Sequence, residues 1–328
     1  MPGIGDKYRI IEEGAGWRRR AERGRLRFGG SDRTAFLHAL LTNDVSALTP
    51  GHGAYAAWLN PQGRMIADFH LFARPDQIVA DVPAARAQSL AAEFDRLIFA
   101  EDATVADVSA SIVQHQIVGG GAAAIVARAF GLDANTLGSL AVGSQIDLTG
   151  GFVARIDEAT LPGFDVLIAA DHEAAAIESL TRSGAMALPD EVFTALRVDA
   201  GRPLFGVDMD TDTIPLEAGL LDRAISTTKG CYVGQEVIIR VLHRGGGRVA
   251  RRLVRIKFDG EAQGQLQPGA TLRIGDREAG HVTSLAPALD NSGFIALGYL
   301  RREFAEAGQS VTVDGSSGVA GVVTGLAG

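Results

Sequence analysis

Three stretches of this chain repeat one pattern: a short β-branched run, then an alanine-rich segment with apolar positions every three or four residues. They are QIVADVPAARAQSLAAEFDRLI (77–98), QIVGGGAAAIVARAFG (116–131) and FDVLIAADHEAAAIESLTRSG (164–184). Each reads as strand, turn and helix, because the apolar period changes from two to about 3.6 along it. In the first, Leu90, Phe94, Leu97 and Ile98 share one helical face while Asp95 and Arg96 point away. Further runs at Val105–Val108, Gln145–Leu148 and Phe152–Ile156 predict strands. Pro189 and Asp190 open a predicted helix over Glu191–Ala200 that ends at Gly201. Residues 1–246 therefore predict an α+β region in which helices cover sheet. Beyond about Gly246 the pattern shortens to alternating strands separated by Gly, Asp and Asn, with one short helix near Arg301–Ala307. That pattern predicts a small β-barrel or sandwich over 247–328.

Composition narrows the class. One cysteine in 328 residues excludes an intrachain disulfide and an autonomous thiolate-ligated cluster, so any iron and sulfur would arrive with a partner. No apolar window reaches the ~18 residues of a membrane span. The most apolar candidate, Ile112–Leu132, is broken by Gln114, His115, Gln116, three glycines and Arg128. The arginine-rich N-terminal stretch is followed by no apolar run of the kind a secretory signal needs, so a cytoplasmic protein is expected. A net charge of −8 argues against a general nucleic-acid surface, although the sign reverses between Arg240 and Phe258. That stretch holds Arg240, Arg244, Arg248, Arg251, Arg252, Arg255 and Lys257 with no acid. Alternation puts Arg252 and Arg255 on opposite strand faces, so the stretch is either a solvated face or one that captures an anion with part of its cations.

Two motif readings fail. Gly119, Gly121 and Ala124 imitate a dinucleotide fingerprint, but the acid due about 20 positions later is missing, with Asp133 too early and Asp147 too late. A glycine-eased strand-to-helix turn is the better reading. The seven histidines include no pair at i, i+4, and H-E-x-x-H, P-loop and G-x-S-x-G sequences are absent, so no metal site is expected.

The run KGCYVGQE (229–236) concentrates the candidate chemistry around Cys231. A free thiol with a pKa of ~8.5 is only about 3% ionised at pH 7. A cation ~5 Å away is worth roughly 3 kcal/mol at an effective dielectric of ~20, so Lys229 is expected to favour the thiolate. The glycines at 230 and 234 permit a tight turn and close approach to a ligand. A lone cysteine is otherwise an ordinary small buried hydrophobe. Tyr232 lines a pocket or roofs a turn, and Gln235 and Glu236 read a ligand or begin a capped helix. Arg240 is favoured for a carboxylate because its fork suits bidentate contact.

KGCYVGQE followed by Arg240 resembles the signature of the YgfZ family of folate-binding proteins, relatives of the glycine-cleavage T-protein. Phe36–Phe72 is similar to the first folate-binding segment of that superfamily, and Leu196–Leu220 to the segment leading into the cysteine motif. The resemblance implies a T-protein-like, three-part arrangement. Two intertwined subdomains (1–246) and a C-terminal barrel (247–328) would surround a central folate cavity. It also implies that Tyr55 contacts folate and that Asp68 orients the reacting carbon and nitrogen. Ala67 stands where the T-protein commonly has another aspartate, and its later pterin-binding glutamate falls near Leu161, with Glu158 three residues away as a substitute. That change puts aminomethyl transfer in doubt. On the residues alone, Asp68 could cap a turn and Tyr55 or Trp58 could be core.

The expected catalytic residues are therefore Cys231, Lys229 and Asp68. The expected folate-binding residues are Tyr55, Asp68, Tyr232, Gln235, Glu236 and Arg240. A pterin offers a donor edge to a carboxylate and a flat ring to an aromatic. The resemblance implies a tetrahydrofolate-binding protein that supports maturation or repair of iron-sulfur proteins, with iron-sulfur assembly or client proteins as partners. A folate-dependent aminomethyltransferase and a folate-dependent RNA-modification factor are the alternatives.

Overall fold

Side chains alternate across each strand, and here the alternation separates apolar faces from a shared polar one. The computed structural model describes residues 4–244, 246–260, 266–315 and 319–328. One antiparallel sheet runs in the order β3 (Gly53–Leu59), β4 (Met65–Ala73), β5 (Ile78–Pro83), β2 (Arg23–Gly29) and β6 (Thr104–Asp107). Its outer face carries Leu26, Phe28, Trp58, Phe69, Leu71 and Ala80 beneath helices α2 (Arg33–Leu40) and α3 (Ala87–Asp95). Trp58 stacks on Phe94 with ring centroids 4.5 Å apart, so it is core. Leu90 and Phe94 are fully buried in the same cluster, against which Leu97 and Ile98 pack.

The second sheet runs in the order β11 (Ala185–Ala187), β1 (Ala15–Arg19), β7 (Ile112–Val118), β10 (Gly163–Ala169), β9 (Gly151–Ile156) and β8 (Gln145–Leu148), with only β1 and β11 parallel. Val113, Ile117, Val153, Phe164, Val166 and Ile168 pack its outer face against α4 (Ala122–Phe130), α5 (Ala134–Ser139) and α6 (Glu173–Arg182). The inner faces of the two sheets meet through Phe72, Val79, Phe152, Ala154 and Leu167. The strand-helix modules read from the sequence supply both sheets.

The third part is a closed barrel of β12 (Arg251–Asp259), β15 (Gly293–Arg301), β14 (Arg277–Pro287), β13 (Thr271–Ile274), β16 (Ser310–Val313) and β17 (Ala320–Leu326), in that order. Val254, Ile256 and Phe258 fill it from β12, while the alternate residue Leu253 packs outward against Val198 of α7 (Asp190–Asp199). A 3-10 turn, Arg302–Phe304, replaces the short helix expected near it. The fold is thus the mixed α+β arrangement with a C-terminal barrel.

Gly119, Gly120 and Gly121 seat the end of α1 (Ile4–Glu13). Gly120 N–H donates to Ile11 O at 2.9 Å and Gly121 N–H to Gly14 O at 2.8 Å. A Cβ on Gly120 would lie 1.9 Å from Glu12 O. Those amides are committed to protein carbonyls, which explains why the dinucleotide-like spacing is misleading. Among the described residues no helix is long and apolar enough to cross a membrane.

Candidate functional site

Register places the polar residues of the inner faces in rows. Tyr55 lies opposite His70, His70 opposite Asp81, and Ala57 opposite Asp68, two residues from His70 on the same face of β4. From these positions a closed circuit of contacts runs between the sheets. The Tyr55 hydroxyl donates to Asp68 Oδ2 at 2.9 Å, and Arg23 Nη1 donates to Asp68 Oδ1 at 2.9 Å. Arg23 Nε also donates to Asp81. Gln114 Nε2 bridges Asp81 (2.7 Å) and Asp165 (2.8 Å). Arg20 reaches Asp165 at 3.2 Å and Glu158 at 3.7 Å. His70 Nε2 lies 3.2 Å from Glu158, and Arg223 lies 3.7 Å from the same oxygen. Arg223 closes the circuit, with its guanidinium 5.1 Å from the Tyr55 ring centre.

Burying these charges is costly unless each is paired, and the titration behaviour follows the pairing. Burial opposes ionisation of Glu158, but His70, Arg20 and Arg223 overcome it and hold the carboxyl well below its usual range. Burial likewise opposes Asp81, yet Arg23 and Arg20 keep it below the ordinary value. Asp165 goes the other way: burial outweighs Arg20, the Asp81 charge adds to it, and the carboxyl is pushed up to about 6. Gln114 Oε1 and Asp165 Oδ1 are buried without a hydrogen-bond partner. Burial and then Asp68 push the Tyr55 phenol well above its ordinary range.

A cavity of about 260 Å³ opens beside this circuit, lined by Tyr55, His70, Asp157, Arg155 and Arg223 among others. Its volume lies below the ~300 Å³ at which drug-sized ligand sites begin, so it takes one ring system and leaves the rest of a larger ligand outside. A second cavity, about 240 Å³, is lined by Arg20, Glu22 and Glu158. The largest cavity, about 640 Å³, lies between α1, the end of α7 and the barrel, and is lined by none of Tyr55, Asp68 or Cys231. The circuit, not the volume, marks the chemically organised site.

Tyr55 and Asp68 are brought together as the sequence implied, and Glu158 joins them in place of Leu161, which packs with Leu188 and Val192. The KGCYVGQE residues go elsewhere. The expectation that Lys229 supplies a cation to the thiol is corrected: its ammonium donates to the carbonyls of His38, Leu41 (2.6 Å) and Asn43 (3.1 Å) at the end of α2. Four helix-end carbonyls lack intrahelical donors, and a lysine there satisfies them and suits the helix dipole. Burial lowers its pKa to about 8.

Tyr232 is buried among Ala57, Leu59, Met65 and Met209, with the Lys229 ammonium 5.2 Å from its ring centre, so it anchors the turn. Gln235 begins α9 (Gln235–Ile239) and reaches back to Gly230 O at 3.5 Å, while Glu236 and Arg240 are exposed. None of these four lines the cavity beside Tyr55. Gly234 has φ +82°, and a Cβ there would lie 2.5 Å from Asn60 O, so glycine lets α9 sit against the β3–β4 turn. Cys231 remains exposed and outside that cavity. Its link to the site is indirect: Asn43, whose carbonyl receives Lys229, donates from its side chain to Tyr55 O at 2.9 Å and Arg223 O at 3.3 Å.

The basic stretch is dispersed as its alternation required. Arg251 pairs with Glu217 at 3.0 Å, Arg255 donates to Asp199 O at 3.3 Å, and Lys257 pairs with Asp290 at 3.3 Å. The sequence reading missed Arg20, Arg23, His70, Asp81, Gln114, Asp157, Asp165 and Arg223. A signal for several of them existed: Asp81 in IVADVP, Gln114 in IVQHQIV and Asp165 in GFDVLIA are polar residues inside apolar strands.

Two facing sheets, a polar circuit between them and a closed C-terminal barrel define a class of three-part proteins with a central cavity. Comparison with known proteins identifies the family. Residues 2–229 match the GCVT N-terminal domain and residues 251–324 match the glycine cleavage T-protein C-terminal barrel domain, and the chain belongs to this family. It is 30% identical to an aminomethyltransferase of Picosynechococcus over 299 residues, covering 89% of this chain and 80% of that protein. It is 27% identical to a chloroplastic Arabidopsis thaliana protein named for a transferase activity, covering 92% of this chain and 68% of that protein. The crystal structure of glycine cleavage system aminomethyltransferase T from Bartonella henselae superposes with a TM-score of 0.86 at 23% identity, covering 99% of this chain and 89% of that one.

Proposed function

We propose that this chain binds tetrahydrofolate or a folate derivative between its two sheets and, in the manner of the YgfZ branch, supports maturation or repair of iron-sulfur proteins through Cys231. The observation that carries the folate reading is the cavity wall. Tyr55 offers an aromatic face, Asp157 a carboxylate for the donor edge of a pterin, and Arg155 and Arg223 cations for a carboxylate. Asp68 already accepts from Tyr55 and Arg23, so it acts on a ligand through the Tyr55 hydroxyl, whose oxygen keeps lone pairs for a ligand N–H. The exposed Cys231 sits where a partner protein can reach it.

Calorimetry with tetrahydrofolate tests the binding reading. Wild type is expected to bind, and Arg223→Met to lose at least ~10-fold in affinity, equivalent to about 1.4 kcal/mol. No heat at millimolar ligand removes the folate reading. Cys231→Ser is expected to bind folate normally yet fail to sustain iron-sulfur enzyme activity in cells lacking the wild-type protein. The second reading is aminomethyl transfer, favoured by the Tyr55–Asp68 pair and by the relatives named aminomethyltransferase. Transfer activity that survives Cys231→Ser and is lost in Asp68→Asn would make it the better one. An RNA-directed role gains nothing from the basic stretch, because Arg251 and Lys257 are paired with acids and Arg255 is tied to a carbonyl.

A further inference from the structure

Of the groups that line the cavity beside Tyr55, His70 is the one whose side-chain type ordinarily changes charge between pH 5 and 8. The structure fixes its ring on two sides. Nε2 lies 3.2 Å from Glu158 Oε1, and the ring centre is 4.5 Å from that of Tyr55 with the planes tilted by 37°. Glu158 is itself held by Arg20 and Arg223, so the carboxylate cannot swing away from the imidazole without breaking two ion pairs. A base oriented by a buried carboxylate and facing a ligand cavity is the arrangement by which proteins move a proton at a defined atom.

We propose that His70, held by Glu158, takes up a proton when a folate enters the cavity, so that ligand binding and protonation of this imidazole are linked. The inference rests on the folate reading above and assigns a residue that the family resemblance did not.

The direction follows from the hydrogen-bond inventory. With Nε2–H committed to Glu158, Nδ1 of the neutral ring is an acceptor and cannot serve a carbonyl or carboxylate oxygen of the ligand. Contact with such an oxygen requires a proton on Nδ1, drawn from solvent, and the ring becomes an imidazolium. The carboxylates facing it stabilise that charge: Glu158 from the loop after β9, Asp81 opposite it on β5, and Asp68 on its own strand. Arg20, Arg223 and the cavity-lining Arg155 and Asp157 complete its surroundings. The two arginines oppose the charge, but both already contact Glu158. Asp165, the other candidate for the proton, is buried behind Gln114 and does not line the cavity.

Calorimetric titration of wild type with tetrahydrofolate at pH 7, in buffers of low and high ionisation enthalpy, counts the protons exchanged. About 0.5–1 proton is expected to be taken up, and affinity to weaken by up to ~10-fold per pH unit as pH rises from about 6.5 to 8. His70→Gln is expected to bind within about 5-fold of wild type with proton uptake near zero. NMR of histidine-labelled wild type gives a readout independent of any substitution. One of the seven imidazole signals is expected to titrate at least ~0.5 pH unit higher in the saturated protein. Binding without proton uptake overturns the proposal while leaving the folate reading intact. Uptake that persists in His70→Gln and vanishes in Asp165→Asn assigns the proton to Asp165 and also overturns it. A wild type that gives no heat at all removes the folate reading, and this proposal falls with it.

Discussion

The circuit between the sheets and the loop carrying the cysteine are built on opposite principles. In the circuit, nearly every polar atom answers another: Asp68 holds Tyr55 and Arg23, Arg23 holds Asp81, and Glu158 gathers His70, Arg20 and Arg223. In the loop, Lys229 caps α2, Tyr232 plugs an apolar cluster, Gly234 makes room for Asn60, and Cys231 alone is left at the surface. Polar residues on neighbouring strands are placed by register and cannot choose their neighbours, so they form a rigid network. A glycine-punctuated loop fixes its anchors and leaves one side chain exposed. The comparison teaches that a dense motif in sequence need not be a dense site in space.

Substitution in the circuit should break it outright. Arg23→Met leaves Asp68 and Asp81, 3% and 0% exposed, without their shared cation. Removing one partner of a buried ion pair costs about 3–5 kcal/mol, so the urea midpoint should fall steeply. A loss under about 1 kcal/mol would mean that the wall is far wetter than the structure describes.

Asp165 sharpens the contrast through pH. Its folded carboxyl titrates at about 6 against an ordinary 3.8, so the folded state binds more protons than the unfolded chain between those values. The proton-bound form therefore favours folding, and this contribution is present below about pH 4 and lost as pH rises through 6. Two pKa units correspond to about 3 kcal/mol. Asp81 and Glu158, with lowered values, act in the opposite sense and lose their contribution only as pH falls through their folded values. Chemical denaturation from pH 4 to 7 should show Asp165→Asn lacking the decline that wild type carries. Parallel curves for the two proteins would place no excess proton on Asp165.

Much of the fold was legible because it depends on local period. Leu90, Phe94, Leu97 and Ile98 announce α3, and the shift to alternation after Gly246 announces the barrel strands. Tyr55 and Asp68 were legible through family resemblance. Their partners were not, because Arg23, Asp81, Gln114 and Asp165 come from four strands in two sheets, and register between strands distant in sequence has no local signature. Lys229 misled for the same reason. Its proximity to Cys231 along the chain is real, but its ammonium is captured by carbonyls about 190 residues upstream, with sequence separations of 191, 188 and 186.

The smallest expected effects lie in the loop, and they separate anchor from exposed side chain. Lys229→Met removes a charged donor from three carbonyls, and hydrogen bonds to charged groups contribute about 1.5–3 kcal/mol each when buried, less at a half-buried site. A loss of about 1–2 kcal/mol is therefore expected. The pH profile of Cys231 alkylation should stay unchanged in this variant, since the ammonium points to the end of α2 and not toward the sulfur. Cys231→Ser alters an exposed side chain and should shift stability by less than about 0.5 kcal/mol. If Lys229→Met slowed alkylation at neutral pH while leaving stability intact, the roles assigned to the two residues would be reversed. The loop would then be an activated-thiol site and not a helix cap that displays a cysteine.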